Sequence, residues 1–184
     1  WDTRENRKTK TKTKTKDRLN MFCFQCEQTS KGTGCTDFAT CGKDADCAVL
    51  QDLLVHASKG IAQYNHRARK LGLQDRRIDR FLLESLFATV TNVNFDADRL
   101  AETLQRAAEV RDDAKRLYEE AATKAGQTAE PAPGPATWTP AKDVPGLVEQ
   151  GEMVSVLSRR DQFGPDVAGL QELLVYGIKG AAAY

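Results

Sequence analysis

Leucine, alanine and isoleucine recur at three- and four-residue intervals along most of this chain, with charged residues between them. From Asp44 to Leu71 the apolar positions Leu50, Leu53, Leu54, Ala57, Ile61 and Tyr64 form one helical stripe, and Gly72 is placed to end it. Ile78, Phe81, Leu82, Leu86 and Val90 predict a second helix from about Asp75 to Val90. A third, capped by Asn94 or Asp96, carries Leu100, Leu104, Ala107, Val110, Ala114, Leu117 and Ala121 inward and stops at Gly126. Amphipathic helices joined by short turns predict an all-α fold built on an antiparallel three-helix bundle.

The periodicity then lapses. Gln127 to Gly146 holds five of the six prolines, with alanine, threonine and glycine between, and reads as a linker or an extended strap across the bundle. Trp138 is expected to anchor it by packing, the usual fate of a large aromatic.

Past the strap the chain resembles itself. Leu50-Gln51-Asp52-Leu53-Leu54-Val55 returns as Leu170-Gln171-Glu172-Leu173-Leu174-Val175, and Lys59-Gly60, Ala62 and Tyr64 return as Lys179-Gly180, Ala182 and Tyr184. Nine of fifteen positions are identical at an offset of 120. A mid-helix glycine costs about 1 kcal/mol relative to alanine, so two chance amphipathic helices would not be expected to share the Lys-Gly pair. A lone second copy cannot bury its stripe, so the natural protein is expected to continue past Tyr184. The organisation predicted is a basic tail over 1–20, a cysteine loop over 21–48, a first three-helix bundle over 49–126, a Pro-rich strap over 127–165, and the first helix of a truncated second bundle over 166–184.

Charge changes the picture only at the start. The formal net charge of +1 hides a tail whose first twenty residues carry eight Lys/Arg against three Asp/Glu, which leaves the remainder mildly acidic. The Lys-Thr alternation from Lys8 to Lys16 has nothing to bury and is expected to be disordered. No aromatic interleaves its lysines as a base-stacking platform would require, so no nucleic-acid partner is expected and the natural start is read at Met21. No run reaches the roughly 18 apolar residues of a membrane span, and no export signal precedes the cysteines, so the expectation is no membrane partner and a cytoplasmic location.

Candidate chemistry is concentrated in Cys23, Cys26, Cys35 and Cys41, spaced C-x2-C-x8-C-x5-C, with Gly32, Gly34 and Gly42 beside them. Reduced thiolates at this density point to metal rather than to a disulfide framework. Four thiolates can reach the corners of one iron–sulfur cube, with glycines letting backbone N–H groups approach the sulfurs. Zinc also accepts four cysteines, although its structural sites usually show two close pairs. A thioredoxin-like pair at Cys23 and Cys26 would need a βαβ context that the pattern lacks.

The other candidates have quieter readings. Cys47 is expected to be a buried free thiol, since four cysteines upstream already suffice for a cube. Phe22, Phe24 and Phe38 are expected to form a dry shell around the metal. His56 and His66 lie on the first helix without carboxylate partners at ligand spacing and read as packing or surface residues. Glu119-Glu120 and Asp112-Asp113 read as solvated helix faces. There is no nucleotide-binding glycine loop, nucleophile elbow or paired set of catalytic carboxylates.

Met21-Phe22-Cys23-Phe24-Gln25-Cys26-Glu27-Gln28-Thr29, Gly34-Cys35-Thr36 and Cys41-Gly42-Lys43 closely resemble the amino-terminal signature of the hybrid-cluster proteins, or prismane proteins, known as hydroxylamine reductases. The likeness continues through Leu50 to Tyr64, Leu86-Phe87-Ala88-Thr89-Val90-Thr91-Asn92, Ala136-Thr137-Trp138-Thr139 and the second repeat, and so covers Met21 to Tyr184. It implies that Cys23, Cys26, Cys35 and Cys41 hold an electron-transfer 4Fe-4S cubane, while Cys47 matches no ligand of the family. It implies a helical first domain of two duplicated three-helix bundles. The hybrid Fe-S-O cluster at which the family's chemistry occurs would be held by cysteines, glutamates and a histidine beyond this sequence. The implied partners are an electron-donor protein and, for the whole protein, a small nitrogenous substrate: hydroxylamine, or nitric oxide as another substrate proposed for the family. Two other functions compete, a stand-alone iron–sulfur electron carrier and a zinc-stapled helical interaction module.

Overall fold

The computed structural model describes residues 21–26, 33–90 and 94–184. The expected disordered tail over 1–20 lies outside the described residues. Among them the fold is all-α, and the one extended pairing is an isolated antiparallel bridge between Cys23 and Cys35. The helices are α1 (Ala45–Lys70), α2 (Arg76–Val90), α3 (Ala97–Lys124), α4 (Val144–Val154), α5 (Val156–Phe163) and α6 (Pro165–Ala182), with a 3-10 turn at Gly134–Thr137.

The caps explain the boundaries. Asp44 accepts the Cys47 N–H at the start of α1, and Asp96 accepts those of Asp98 and Arg99 at the start of α3. Gly72 and Gly126 follow the first and third helices with φ of 87° and 67°.

Helix α1 is the axis of the fold and packs against α2, α3, α4 and the 3-10 turn. Its burial is wider than the single stripe expected, because Val49, Gln51, Val55 and Ser58 are buried along with Leu50, Leu53 and Leu54. The reason is α4, which lies so close that a Cβ on Gly151 would fall 2.5 Å from Val49 Cγ1. On α2 the buried line is Ile78, Phe81, Ser85 and Thr89, while Leu86 and Val90 are only partly covered. The α3 stripe is buried at Leu100, Leu104, Ala107, Ala114 and Ala121, joined by Tyr118.

The segment read as a strap divides in two. From Gln127 the chain crosses α1 in extended form: Ala132 N–H donates to Tyr64 Oη at 3.2 Å, and Glu130 N–H donates to Tyr118 Oη at 3.2 Å. At the crossing point a Cβ on Gly60 would sit 2.4 Å from the Pro135 carbonyl oxygen, so the mid-helix glycine is where the strap touches the helix backbone. Trp138 packs against the core and its indole N–H donates to Gln150 Oε1 at 3.2 Å. The latter part, expected to be strap as far as 165, instead forms α4 and α5. Asp143 and Ser155 cap them, and Pro145 falls in the first turn, where a missing N–H costs no helical bond.

Helix α6 packs on α2 and α5. Leu170, Leu173 and Leu174 are 68%, 69% and 66% exposed, whereas their repeat equivalents Leu50, Leu53 and Leu54 are fully buried. Among the described residues no helix is long and apolar enough to cross a membrane.

Candidate metal centre

The cysteine loop precedes α1 and folds back against its first turns. Cys23 and Cys35 exchange two backbone hydrogen bonds, Cys23 N–H to Cys35 O at 3.0 Å and Cys35 N–H to Cys23 O at 2.7 Å. This antiparallel pairing brings the two side chains to one place. Gly34, with φ of 103°, makes the pairing possible: a Cβ there would meet the Phe22 ring at 3.1 Å and the Cys23 carbonyl oxygen at 3.3 Å.

Met21, Cys35, Ala39 and Ala48 form a small buried cluster against which Cys23, Cys41 and Ala45 pack. Three of the four cysteines singled out in the sequence therefore share one apolar neighbourhood. The fourth, Cys26, lines a cavity of about 500 Å³ between the loop and α6, with Phe22, Phe24, Val156, Ala168 and Tyr176. Phe22 and Phe24 stack 5.7 Å apart. Phe38 does not join them. It is 69% exposed, because Ala39, next in the chain, takes the inward position.

All five cysteines are free thiols. Among the described residues no three His, Cys, Asp or Glu side chains converge as a metal-holding group, and 27–32, between Cys26 and Cys35, lie outside the description. The donor set nevertheless fits a thiolate-held centre in its chemistry: soft sulfurs, three of them packed among apolar side chains.

Two lysines that sequence reasoning passed over give the loop its electrostatics. Lys43 is buried, donates to Gln51 Oε1 at 2.6 Å, and holds its Nζ 3.7 Å from Cys23 Sγ. Gln51 is oriented by its own donation to Asn94 O at 3.1 Å. Lys179, on α6, is also buried and donates to Gln25 Oε1 at 2.6 Å. The Gln25 backbone N–H in turn bonds Cys23. Burial pushes the Cys23 thiol up, with Lys43 opposing.

Around Lys179 lies a polar cluster. Asp52 keeps some surface exposure, yet dense packing about its carboxyl pushes it up to about 6, against Lys179, the Val156 N–H and Arg159. Burial pushes Lys179 down to about 8, with Asp52 and Glu172 opposing. Arg159 forms an ion pair with Glu172. His56, half-buried, is pushed down to about 4 by burial and by Lys59 and Arg159. His66 is exposed. Cys47 is fully buried, its thiol pushed up to about 12 by burial and Asp44, and it donates to Phe95 O at 3.0 Å. The repeat could have exposed Lys179, since the Lys-Gly pair was its most telling shared feature. Lys43 stood within the Cys41-Gly42-Lys43 signature, with nothing in it to tell that the side chain is buried.

Comparison with known proteins adds the following. A family model described as the Prismane/CO dehydrogenase family matches residues 21–184. A protein of Rhodospirillum rubrum named hydroxylamine reductase is 48% identical over 164 residues, covering 89% of this chain and 30% of that protein. Proteins of the same name from Acidithiobacillus ferrooxidans and Burkholderia lata are 48% and 49% identical over 168 residues, again covering 89% of this chain and 30% of each relative. The chain thus spans about a third of the length of the relatives it matches.

Proposed function

The chain belongs to the Prismane/CO dehydrogenase family, and on that premise we propose that it forms the amino-terminal electron-transfer region of a hydroxylamine reductase, with Cys23, Cys26, Cys35 and Cys41 holding a 4Fe-4S cluster. The observation that carries this reading is the double hydrogen bond between Cys23 and Cys35, which folds a four-cysteine loop onto a buried lysine. When bound, such a cluster supplies reversible one-electron transfer.

The chain's own residues then have separate tasks. The four thiolates bind. Lys43 and the Gln25 N–H donate toward Cys23, which stabilises its anionic form. Phe22 and Phe24 exclude water on the Cys26 side. Thr36, Asp37, Phe38 and Thr40 are exposed and offer an electron-donor protein a face close to Cys35 and Cys41.

The reaction of the whole protein is NH2OH + 2 e− + 2 H+ → NH3 + H2O. Its substrate site and hybrid Fe-S-O cluster are assigned outside these residues, which amount to 30% of the relatives' length. Anaerobic reconstitution with iron and sulfide tests the assignment. The expected product is a brown protein with equal iron and acid-labile sulfide whose visible absorption bleaches with dithionite. A colourless protein containing zinc would overturn it. Hydroxylamine turnover by these residues alone would overturn the placement of the substrate site elsewhere.

A further inference from the structure

Two lysines are buried beside the cysteine loop. Among the described residues, Lys179 lies within reach of Lys43, Asp52 and Glu172, and Lys59 and Arg159 share the same two carboxylates, while Asp44 and Asp46 join Lys43 near Cys47. Lys43 and Lys179 are the most deeply buried of the four cations, at 3% and 2% exposure. Each ammonium is held by a neutral glutamine oxygen at 2.6 Å, Gln51 for Lys43 and Gln25 for Lys179. Burying ammonium groups against neutral amides is costly unless anions are close by. Four thiolates around a 4Fe-4S core of charge +2 carry net −2, an anion placed beside both buried ammonium groups.

Both lysines bear on Cys23, Lys43 directly and Lys179 through Gln25. Lys43 Nζ is 3.7 Å from Cys23 Sγ, and Lys179 fixes Gln25, whose backbone N–H bonds the same residue. Positive charge and hydrogen bonds directed at a cluster sulfur favour the state with one more electron. We propose that Lys43 and Lys179 are the built-in counter-cations of the cysteine loop, positioning residues that raise the potential at which it accepts an electron. Lys179 belongs to the second repeat, so the duplication supplies a charge to the loop that precedes the first copy. The proposal rests on the iron–sulfur reading of the site.

The test compares reconstituted wild type with Lys43→Met, Lys179→Met, and the Gln and Arg variants of each, by iron content and by redox titration followed in the visible range. Each Met variant is expected to bind wild-type iron while its one-electron reduction becomes about tenfold less favourable, a shift of about 59 mV to more negative potential. The Arg variants are expected to restore most of that shift. Iron-loaded Met variants with the wild-type midpoint overturn the proposal. Should the Met variants not fold, the Gln variants decide: a lowered midpoint, or iron lost with Gln but kept with Arg, supports the counter-charge role. An unchanged midpoint with Gln, or iron lost with both Gln and Arg, overturns it. Failure of the wild type itself to take up iron sinks the metal-centre reading instead.

Discussion

Lys179 Nζ lies 2.6 Å from Gln25 Oε1, although 154 positions separate the two residues. The contact ties the second copy of the repeat to the cysteine loop, and its burial gives the metal-free chain a signature in alkaline solution. In the unfolded chain Lys179 has its ordinary value of 10.5, whereas in the fold it is pushed down to about 8. Between these values the unfolded chain binds more protons, so this group makes stability rise with pH from about 8 to 10.5. Cys47 acts oppositely from about 9 upward, since its thiol is pushed up to about 12. The rise is therefore cleanest between pH 8 and 9. Urea unfolding midpoints across that interval are expected to increase for wild type and to lose this increment in Lys179→Met.

A second pair of groups opposes itself at acid pH. Asp52 is pushed up to about 6 from 3.8, so its contribution to stability is full below 3.8 and is lost as pH rises toward 6. His56 is pushed down to about 4 from 6.5, so its contribution grows as pH rises through the same interval. The two slopes nearly cancel. Relative to wild type, Asp52→Asn is expected to show a thermal midpoint that climbs more steeply from pH 4 to 6, and His56→Gln one that falls. Parallel profiles for all three proteins would contradict the burial of these groups.

The glycines of the repeated Lys-Gly pair differ in surroundings. A methyl on Gly60 would strike the Pro135 carbonyl, while one on Gly180 would meet nothing within 4 Å. Gly60→Ala is expected to cost about 1–3 kcal/mol by forcing the strap off α1. Gly180→Ala is expected to stabilise by up to about 1 kcal/mol, the ordinary helical preference for alanine. Denaturant titration of both variants reads the difference, and equal effects would refute the crossing described at Gly60.

Serine replacements at Cys23, Cys26, Cys35 and Cys41 are each expected to lower iron uptake sharply on reconstitution. Cys47→Ala is expected to leave it intact, because that thiol is committed to the Phe95 carbonyl. It should instead cost about 1 kcal/mol by removing a fully buried thiol and the partner of a partly buried carbonyl. Iron analysis alongside thermal melting separates the two classes.

The helical frame was legible because its determinants are local. Leu50, Leu53 and Leu54 announce a face, Asp44 and Asp96 announce starts, and Gly72 and Gly126 announce stops. Helix α4 was not, since proline-rich composition hides the fact that Pro145 falls in a first turn, where proline is tolerated, and α5 is a single eight-residue helix with only Val156 buried. Phe38 was misjudged because hydrophobicity alone does not tell which of two neighbours in a loop turns inward. The cysteine spacing was plain in the sequence, but the lysines were not. A buried lysine needs an acceptor such as Gln51 or Gln25, and for Lys179 that acceptor lies 154 positions away and is met only in three dimensions.

The bridge between Cys23 and Cys35 acts as a clasp made from backbone alone. Two hydrogen bonds join these residues, so the entropy of bringing the two cysteines together is lost during folding. Any group that these thiols hold meets two of them already side by side.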